Sequence, residues 1–439
     1  MTNNFINKNF SQDLYFKDNS STIYEFFKSK RRQYSHYEIE KYQEKRYIRL
    51  INIAKKVPFY KEIIETLKLE ESTNIRDLSK FPILEKEDLR KNFIKLVNPE
   101  ANLKDCYRNR TSGSTAQPIT NLHNEKEHQM IHSINVMRQR DAWKIDECER
   151  MLMIIPERFL EGFPEYPDYV IDMNGLIKVW GINPQKYNDI ISILNDVKPD
   201  IIYGNPFLIS YVLDKVEKSD LKYHCPKFFY SSFELLSEGL RKRIKTNFNC
   251  EVCDIYGFSE VGDIAWECPV SKNYHINEDF YYLETIDKSG KNIEGSIGDI
   301  VVTSLHNSAM PLIRYRVGDC GILIPGEEVC ACGRKTRCLQ KIVGRSVDFL
   351  KNEEGDSFSP YDVMTILERY RAKKFKILQE DFNRCKVFIQ IDDEVNLLKI
   401  QEELEELFNN TITPEIISVD NLLITSISEK FRPVESKLR

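Results

Sequence analysis

Short apolar runs alternate with helix-length segments between residues 150 and 257, and this alternation constrains the fold more than any other feature. Four runs have the length and flanking turns of buried strands: "RMLMIIP", "DIIYGNP", "KFFYSSFE" and "CEVCDIYG". Between them lie "YNDIISILNDVKP", "PFLISYVLDKVEK" and "LLSEGLRKRIKTNF", which repeat apolar residues at three- and four-residue spacing. Strands that alternate with helices of this length predict βαβ units with parallel strand pairing.

The pattern changes from Tyr281 onward. "YYLETID", "GDIVVTSL", "PLIRYRVGD" and "CGILIP" are short strands split by Gly and Asp turns, which predicts an antiparallel barrel or sheet. Beyond Arg345, two helical segments ("SPYDVMTILERY" and "LLKIQEELEELFNN") are interleaved with the strand candidates "KFKILQED", "CKVFIQID" and a final "NLLITSI". The predicted class is α/β. A large domain of βαβ layers with an antiparallel β subdomain (1–345, opening with a helical segment over 22–67) precedes a small, mobile α+β domain (346–439).

Composition excludes several classes of protein. The 439 residues carry a net charge of −5 without a long block of one sign, which argues against a nucleic-acid partner. We find no secretory signal, and no apolar run approaches the roughly 18 residues of a membrane-spanning helix. The 11 cysteines are odd in number and scattered, which indicates reduced thiols and a cytoplasmic protein, with metal ligands possible among them.

Three stretches suggest nucleotide chemistry, although each has a plain alternative. "RTSGSTAQPIT" supplies small hydroxyls and a glycine, so backbone N–H groups could converge on phosphate, but such clusters are also common in flexible turns. "YGFSEVG" places Glu260 just after a strand, where it could hold magnesium or simply be an exposed turn. "MPLIRYRVGD" ends in Asp319, a carboxylate suited to both ribose hydroxyls or an ordinary strand end.

The order of these stretches resembles the adenylate-forming superfamily, most closely its phenylacetate–CoA ligase branch. The hydroxyl loop is similar to that family's T-S-G-S/T-T-G-x-P, and "YGFSE" to its Y-G-x-T-E. "GDIVVTSLHNSAMPLIRYRVGD" resembles G-E-L-V-x-T-x-L…A-M-P-L-I-R-Y-R-T-G-D, and "CACGRKTRCLQKIVGRSVD" resembles C-x-C-G-R…I-x-G-R-x-D-D. "SEKFRPVESK" looks like the closing segment that carries a lysine. The resemblance extends from about Lys55 to the C-terminus.

The resemblance implies ATP-dependent activation of a carboxylic acid, expected to be aryl, to an acyl-adenylate with release of pyrophosphate, and then transfer to the CoA thiol. It implies that the hydroxyl loop folds over the ATP phosphates, that Glu260 binds Mg²⁺, that Asp319 binds the ribose, and that Arg345 reaches the nucleotide. Lys430 is expected to bridge carboxylate and phosphate in the first half-reaction. The implied nucleotide-binding residues are Thr111, Ser112, Gly113, Ser114, Thr115, Glu234, Tyr256, Gly257, Asp319 and Arg345, and the implied catalytic residues are Lys430, Glu260 and Thr115.

Departures from the family pattern keep other functions open. The loop's usual Gly is Ala116, the usual Lys after it is Gln117, and the hinge acid expected two residues after Arg345 is Val347, with Asp348 next. One alternative is an adenylating enzyme that passes its acyl group to a carrier-protein thiol, an amine or a hydroxyl. Another is a non-catalytic relative that binds nucleotide and zinc. The partners expected are a small carboxylic acid and either CoA or a carrier protein, and a homodimer is left open.

The cysteines include one candidate metal site. Cys268 and His275 flank "PVSKNY", while Cys330 and Cys332 flank Ala331, and thiolates with an imidazole suit a four-coordinate structural zinc ion. The spacing alone is a weak signal, because free thiols are the plain alternative. Relatives that resemble this chain often carry such residues beside the nucleotide domain's sheet, and Cys338 is a possible substitute ligand.

Overall fold

The structure is a computed structural model of the chain. It describes residues 36–110, 119–145, 148–160, 163–172, 177–326, 329–370, 372, 374–390, 396–419 and 432–438. The α-helices of this part are α1 (His36–Ala54), α2 (Pro58–Leu67), α3 (Lys86–Leu96), α4 (Glu125–Trp143), α5 (Ile190–Val197), α6 (Pro206–Glu217), α7 (Glu238–Phe248), α8 (Pro360–Arg369) and α9 (Leu397–Leu407). Short 3₁₀ helices cover Ile75–Lys80, Leu103–Asp105, Glu157–Phe159, Pro184–Lys186 and Ser346–Asp348.

The strands of the described residues fall into one large sheet and three small ones. In chain order they are β1 (Cys106–Arg110), β2 (Thr120–Asn124), β3 (Arg150–Ile154), β4 (Val170–Asp172), β5 (Ile177–Ile182), β6 (Ile201–Gly204), β7 (Phe228–Ser231), β8 (Glu251–Phe258), β9 (Gly262–Glu267), β10 (Tyr274–Ile276), β11 (Tyr281–Ile286), β12 (Ile297–Ser304), β13 (Tyr315–Leu323), β14 (Cys338–Arg345), β15 (Leu350–Lys351), β16 (Ser357–Phe358), β17 (Lys374–Asp381), β18 (Arg384–Gln390), β19 (Thr413–Val419) and β20 (Val434–Ser436).

The predicted βαβ units are confirmed. Strands β5, β3, β6, β7 and β8 lie side by side and pair in parallel, and helices α5, α6 and α7 connect the successive strands from β5 to β8. Successive residues of these strands alternate between two cores, as period-two geometry requires. Ile202 and Phe229 pack with α5, α6 and α7, whereas Ile201 and Phe228 face the other side of the sheet, which the end of α4 covers with Trp143.

The antiparallel strands predicted from Tyr281 onward are present, and they continue the parallel sheet instead of forming a separate one. Strand β8 pairs antiparallel with β9, and the sheet then runs through β10, β14, β13, β12 and β11. "YRVGD" and "CGILIP" were expected as two strands, but β13 runs unbroken across the Gly318 turn signal with a φ of 91° at that glycine. The sharp reversal between β8 and β9 therefore lies inside a single twelve-stranded sheet.

A smaller α+β unit follows β14. Strands β19, β18, β17 and β20 form a four-stranded sheet, and α8 and α9 contribute Val363, Leu367 and Leu404 to its separate core. The predicted helices and the first two predicted strands of this unit are confirmed. The predicted strand "NLLITSI" and residues 22–35 of the predicted N-terminal helical segment lie outside the described residues. The domain boundary after Arg345 stays a prediction.

Polar contacts join this unit to the helices of the large sheet, beside the apolar packing of Leu235 against the core of the unit. The Glu368 carboxylate accepts hydrogen bonds from the Ser237 hydroxyl and from the Gly239 amide at the N-terminus of α7, the latter at 2.9 Å. Lys374 Nζ lies 3.0 Å from an Asp214 carboxylate oxygen on α6. No helix in the part of the chain that the structure describes has the length and hydrophobicity needed to cross a membrane.

Candidate active site

The Glu260 turn lies between β8 and β9 and is held by the hairpin of β1 and β2. Asn109 Nδ2 donates to the Ser259 carbonyl at 2.6 Å, and Asn121 Nδ2 donates to the Glu260 carbonyl at 2.7 Å. The hydroxyl loop joins β1 to β2, so its anchor strands are bonded directly to the turn that carries the predicted magnesium ligand. The loop residues themselves (Thr111, Ser112, Gly113, Ser114 and Thr115, with Ala116 and Gln117) lie outside the described residues.

Glycines make this turn possible. Gly262 has a φ of +106°, a left-handed conformation that side chains disfavour, and it starts β9 immediately after the turn. A Cβ at Gly257 would lie 2.5 Å from the Gly262 carbonyl oxygen, which is shorter than any allowed contact. Gly257 therefore serves the close approach of β8 and β9. This packing need explains the residue independently of any nucleotide contact.

Glu260 is a buried carboxylate with a neutral partner. It is 7% exposed, and its Oε1 accepts a hydrogen bond from the Tyr315 hydroxyl at 3.1 Å. Among the described residues, no Lys or Arg side chain forms an ion pair with it. A buried charge without a counter-charge is costly, and a carboxylate oxygen is the ligand that Mg²⁺ prefers. The environment of Glu260 therefore fits a bound divalent cation.

Three of the residues predicted to bind the nucleotide, Tyr256, Asp319 and Arg345, lie close together in the structure. The Tyr256 hydroxyl donates to Asp319 Oδ2 at 3.2 Å, and Asp319 lies directly opposite Arg345 in the β13–β14 pairing. Within the described part of the chain, Arg345 Nη1 is buried and has no hydrogen-bond partner. A buried guanidinium group without a partner is rare, so this atom is suited to a ligand. The Ser346 hydroxyl donates to the Gly318 carbonyl at 3.2 Å, which joins the segment after β14 to β13 next to Asp319.

Glu234 lies in the turn that follows β7. Strand β7 ends at Ser231, which pairs with Asp254 of β8, so the turn lies beside the carboxyl end of β8. Phe233, the residue before Glu234, has a φ of 82°, an unusual backbone for an aromatic residue. The structure thus brings Glu234 to the same edge as Tyr256, although it shows no contact between their side chains.

Asp254, two residues before Tyr256, is a candidate that the sequence reasoning missed. It is 6% exposed, and its Oδ2 accepts a hydrogen bond from the Tyr274 hydroxyl at 2.7 Å. Burial raises the pKa of Asp254 to about 7. A strongly shifted pKa is more common at functional sites than elsewhere, which makes Asp254 a candidate. The signal in the sequence was an acid inside an otherwise apolar strand, "CEVCDIYG".

The position where the family's hinge acid is expected is occupied differently here. Val347 is 53% exposed, whereas Asp348 is buried and forms an ion pair with Arg432 near the C-terminus. Asp348 therefore binds the end of the chain back to the segment that follows β14. Lys430, two residues before Arg432, lies outside the described residues.

Cys268, His275, Cys330 and Cys332 form the predicted cluster. Their donor atoms lie within 4.8 Å of one another, with 3.7 Å between the Cys268 and Cys330 sulfurs and 3.2 Å between His275 Nε2 and the Cys332 sulfur. Two sulfurs on one tetrahedral zinc, with bonds of about 2.3 Å, are about 3.8 Å apart, so the spacing fits this ion. Although burial opposes it, hydrogen bonds from His275 and from Ser271 lower the pKa of Cys268 to about 7, which favours the thiolate.

The two nitrogens of His275 have separate roles in this cluster. Nε2 faces Cys332, while Nδ1 lies 2.9 Å from the Thr336 hydroxyl, an outer contact of the kind that orients metal-binding imidazoles. Cys338 lies on the Nδ1 side, 3.4 Å away, and outside the group of four donors. The position of Cys338 does not support the suggestion that it substitutes as a ligand. The cluster and the Glu260 turn are at opposite ends of β9.

Comparison with known proteins adds to this geometry. Phenylacetate–coenzyme A ligase of Pseudomonas putida is 28% identical over 295 residues, 64% of this chain and 64% of that protein. The same enzyme of Aromatoleum evansii is 30% identical over 228 residues, 49% of this chain and 51% of that protein. The match thus spans less than two thirds of either relative's length. No protein-family model matches the sequence.

A solved structure matches over almost the whole chain. The 2-hydroxyisobutyryl-CoA ligase in its postadenylation state, in complex with R3-HIB-AMP, superposes with a TM-score of 0.77 at 17% identity, covering 93% of this chain and 92% of that chain. The likeness at this identity concerns the fold. The chain is therefore similar in sequence to phenylacetate–CoA ligases over part of its length, and it has the fold of the 2-hydroxyisobutyryl-CoA ligase.

Proposed function

We propose that this protein activates a carboxylic acid with ATP, releases pyrophosphate to form an acyl-adenylate, and then transfers the acyl group to the thiol of CoA. The observation that carries the proposal is the convergence at one edge of the sheet. There, the Tyr256 hydroxyl donates to Asp319, and Arg345 Nη1 is buried without a hydrogen-bond partner among the described residues. The buried Glu260 carboxylate lies on the turn that is bonded to the hairpin holding the hydroxyl loop. A carboxylate for Mg²⁺, a carboxylate for the ribose and a guanidinium N–H for the phosphates are groups suited to binding a nucleoside triphosphate.

The first half-reaction joins two anions, because a carboxylate oxygen attacks the α-phosphorus while pyrophosphate leaves. Charge must therefore be neutralised by cations and N–H donors. In this chain, Glu260 would hold Mg²⁺, which supplies positive charge to the phosphate oxygens. Asp319, oriented by the Tyr256 hydroxyl at 3.2 Å, would accept hydrogen bonds from the ribose hydroxyls. Arg345 Nη1 would donate to the nucleotide from the opposite strand.

The small C-terminal unit would supply the last charge. Lys430 is assigned to the meeting point of carboxylate and α-phosphate, and the hydroxyl loop, including Thr115, to the phosphates. Both assignments rest on the motif positions. Gln117 cannot bring a charge to the leaving pyrophosphate, so more of the neutralisation would fall on Mg²⁺ and Lys430.

The zinc assignment is a separate part of the proposal. Four protein donors leave no open position on a tetrahedral ion, so a zinc ion bound by Cys268, His275, Cys330 and Cys332 would be structural. It would join the end of β9 to the turn before β14. ATP, CoA and reduced thiols are all consistent with a cytoplasmic location, which we propose for this protein.

The direct test is product analysis. Purified protein with ATP and Mg²⁺ is incubated with aryl and alkyl acids, with and without CoA, and AMP and acyl-CoA are measured. We expect AMP and thioester in equal amounts with the preferred acid. AMP formation that does not depend on CoA but depends on a carrier protein, an amine or a hydroxyl acceptor would support the alternative transferase. The absence of AMP with every acid would support a non-catalytic relative.

A further inference from the structure

Helix α4 carries a polar stripe that is exposed at His132 and buried at Asn135 and Gln139. His128, His132, Asn135 and Gln139 repeat at four-, three- and four-residue spacing, so they share one side of the helix. Asn135 and Gln139 are 0% and 1% exposed. The neighbouring Ile131 and Ile134 pack into a separate apolar core, so α4 would not need buried amides for its packing. The polar stripe therefore calls for a partner of its own.

The stripe has orphaned atoms. Among the described residues, Asn135 Oδ1, Gln139 Nε2 and the Tyr230 hydroxyl are buried without a hydrogen-bond partner. Tyr230 belongs to the face of the sheet that the end of α4 covers. Buried polar groups nearly always have a partner, so three orphans on facing elements indicate a ligand or water that bonds to them. One of these atoms is an acceptor, one is a donor and the third can be either.

The stripe begins at the proposed adenylation site. His128 lies 3.7 Å from the position of a Cβ at Gly262, and Asn135 Nδ2 donates to the Asp263 carbonyl at 3.1 Å. Asp263 is three residues beyond Glu260, so their Cα atoms are at most about 10 Å apart. At its other end, α4 packs Trp143 against Phe228, the first residue of β7. The helix therefore leads from the carboxyl edge of the sheet inward, and Gln139 lies about 6 Å further along it than Asn135.

We propose that the tail of the acid binds between α4 and the sheet and that Asn135 and Gln139 select acids that carry a hydroxyl group, because each has a buried polar atom without a hydrogen-bond partner among the described residues. This inference rests on the proposed function and deepens it, because it replaces the expectation of a plain aryl acid with a hydroxylated one. A hydroxyl placed between the two amides donates to Asn135 Oδ1 and accepts from Gln139 Nε2. A bare hydrocarbon tail would leave both atoms buried and unpaired, which disfavours its binding.

The test compares acids that differ by one group. Rates of pyrophosphate release with ATP and Mg²⁺ are measured for phenylacetate, 4-hydroxyphenylacetate and 4-aminophenylacetate, and for isobutyrate and 3-hydroxyisobutyrate. We expect kcat/KM to be about tenfold or more higher for at least one hydroxylated acid than for its bare partner, the scale of one lost buried hydrogen bond. The inference would be overturned if kcat/KM for both hydroxylated acids were equal to or lower than kcat/KM for their bare partners. It would also be overturned if kcat/KM were higher for 4-aminophenylacetate than for 4-hydroxyphenylacetate.

Variants separate this inference from the proposed function. Gln139→Met keeps the side-chain size and removes the polar atoms, so the ratio of kcat/KM for the hydroxylated acid to kcat/KM for its bare partner should fall toward one. Asn135→Leu also removes the hydrogen bond to the Asp263 carbonyl, so its readout is this same ratio and not the overall rate. Lys126→Met, an exposed position on the same helix, is the matched control and should keep the wild-type preference. An unchanged preference in a folded Gln139→Met variant would overturn the inference. Activity with bare acids alone would overturn it while leaving the proposed function intact, whereas no activity with any acid would overturn both.

Discussion

Replacing Glu260 with Gln tests the magnesium assignment, because it changes charge and little else. The carboxylate is 7% exposed, and its Oε1 accepts one hydrogen bond from the Tyr315 hydroxyl at 3.1 Å. A Gln carbonyl oxygen can accept the same bond, so the fold should be preserved. Loss of one electrostatic stabiliser in a water-excluded site costs about 2.7–4 kcal/mol, so adenylation should slow by roughly 100- to 1,000-fold.

The same substitution should not lower stability in the absence of magnesium, because it removes a buried charge that has no ion-pair partner among the described residues. The assay is acid-dependent pyrophosphate release over a Mg²⁺ series, with thermal unfolding measured in EDTA. Tyr315→Phe is the first control. It keeps the charge and loses one hydrogen bond to a charged acceptor, worth about 1.5–3 kcal/mol, so its rate should fall by roughly 10- to 150-fold while its dependence on Mg²⁺ is kept.

Glu278→Gln is the second control, since Glu278 is also 7% exposed but accepts its hydrogen bond from the Arg337 amide, away from the site. It should leave the rate near that of the wild type. A Glu260→Gln enzyme with full activity at saturating Mg²⁺, or one no slower than the Glu278→Gln control, would refute the reasoning.

Three further predictions concern other parts of the molecule. Elemental analysis should find about one zinc per chain, lost in Cys330→Ser and kept in Cys338→Ser; no zinc in the wild type would refute the metal assignment. Lys430→Ala should slow adenylation by roughly 2.7 kcal/mol or more and leave thioester formation from a synthetic acyl-adenylate nearly intact, and equal losses in both steps would contradict its role. Burial raises the pKa of Glu368 to about 7, so its carboxyl contributes stability that is present below its ordinary pKa of about 4.5 and lost as pH rises through about 7. Thermal unfolding of Glu368→Gln should therefore depend less on pH between 5 and 8 than that of the wild type, and an identical profile would contradict this.

The alternation of apolar runs and helices was sufficient to predict four of the five parallel strands, β3, β6, β7 and β8, because a parallel strand buried on both faces reads as a continuous apolar run. Strand β5 (Ile177–Ile182) was not predicted. The continuity of the sheet was not predictable from that pattern. It depends on the reversal at Gly262, where β8 turns directly into β9, and a glycine in a sequence does not say which strands it joins. The unbroken β13 is a similar case, since Gly318 was read as a turn but is accommodated within the strand.

Candidate site residues that belong to a sequence motif were predicted. Candidate residues that are distinguished only by their burial and their neighbours in the fold were missed. Glu260, Asp319 and the Cys268 cluster stand in short, characteristic stretches. Asp254 is marked only by burial and by the Tyr274 hydroxyl, which comes from a distant strand. The unpartnered amide of Gln139 could not be inferred from sequence, because the side of α4 that faces the sheet is set by tertiary packing.

The most direct test of the central claim is isotope exchange between labelled pyrophosphate and ATP in the absence of CoA. This exchange requires a reversible acyl-adenylate step and no acceptor, so it isolates the chemistry assigned to Glu260, Asp319 and Arg345. We predict exchange that depends on both Mg²⁺ and an added carboxylic acid and that falls about 100-fold or more in Glu260→Gln. Folded protein that binds ATP but shows no exchange with any acid would contradict the account.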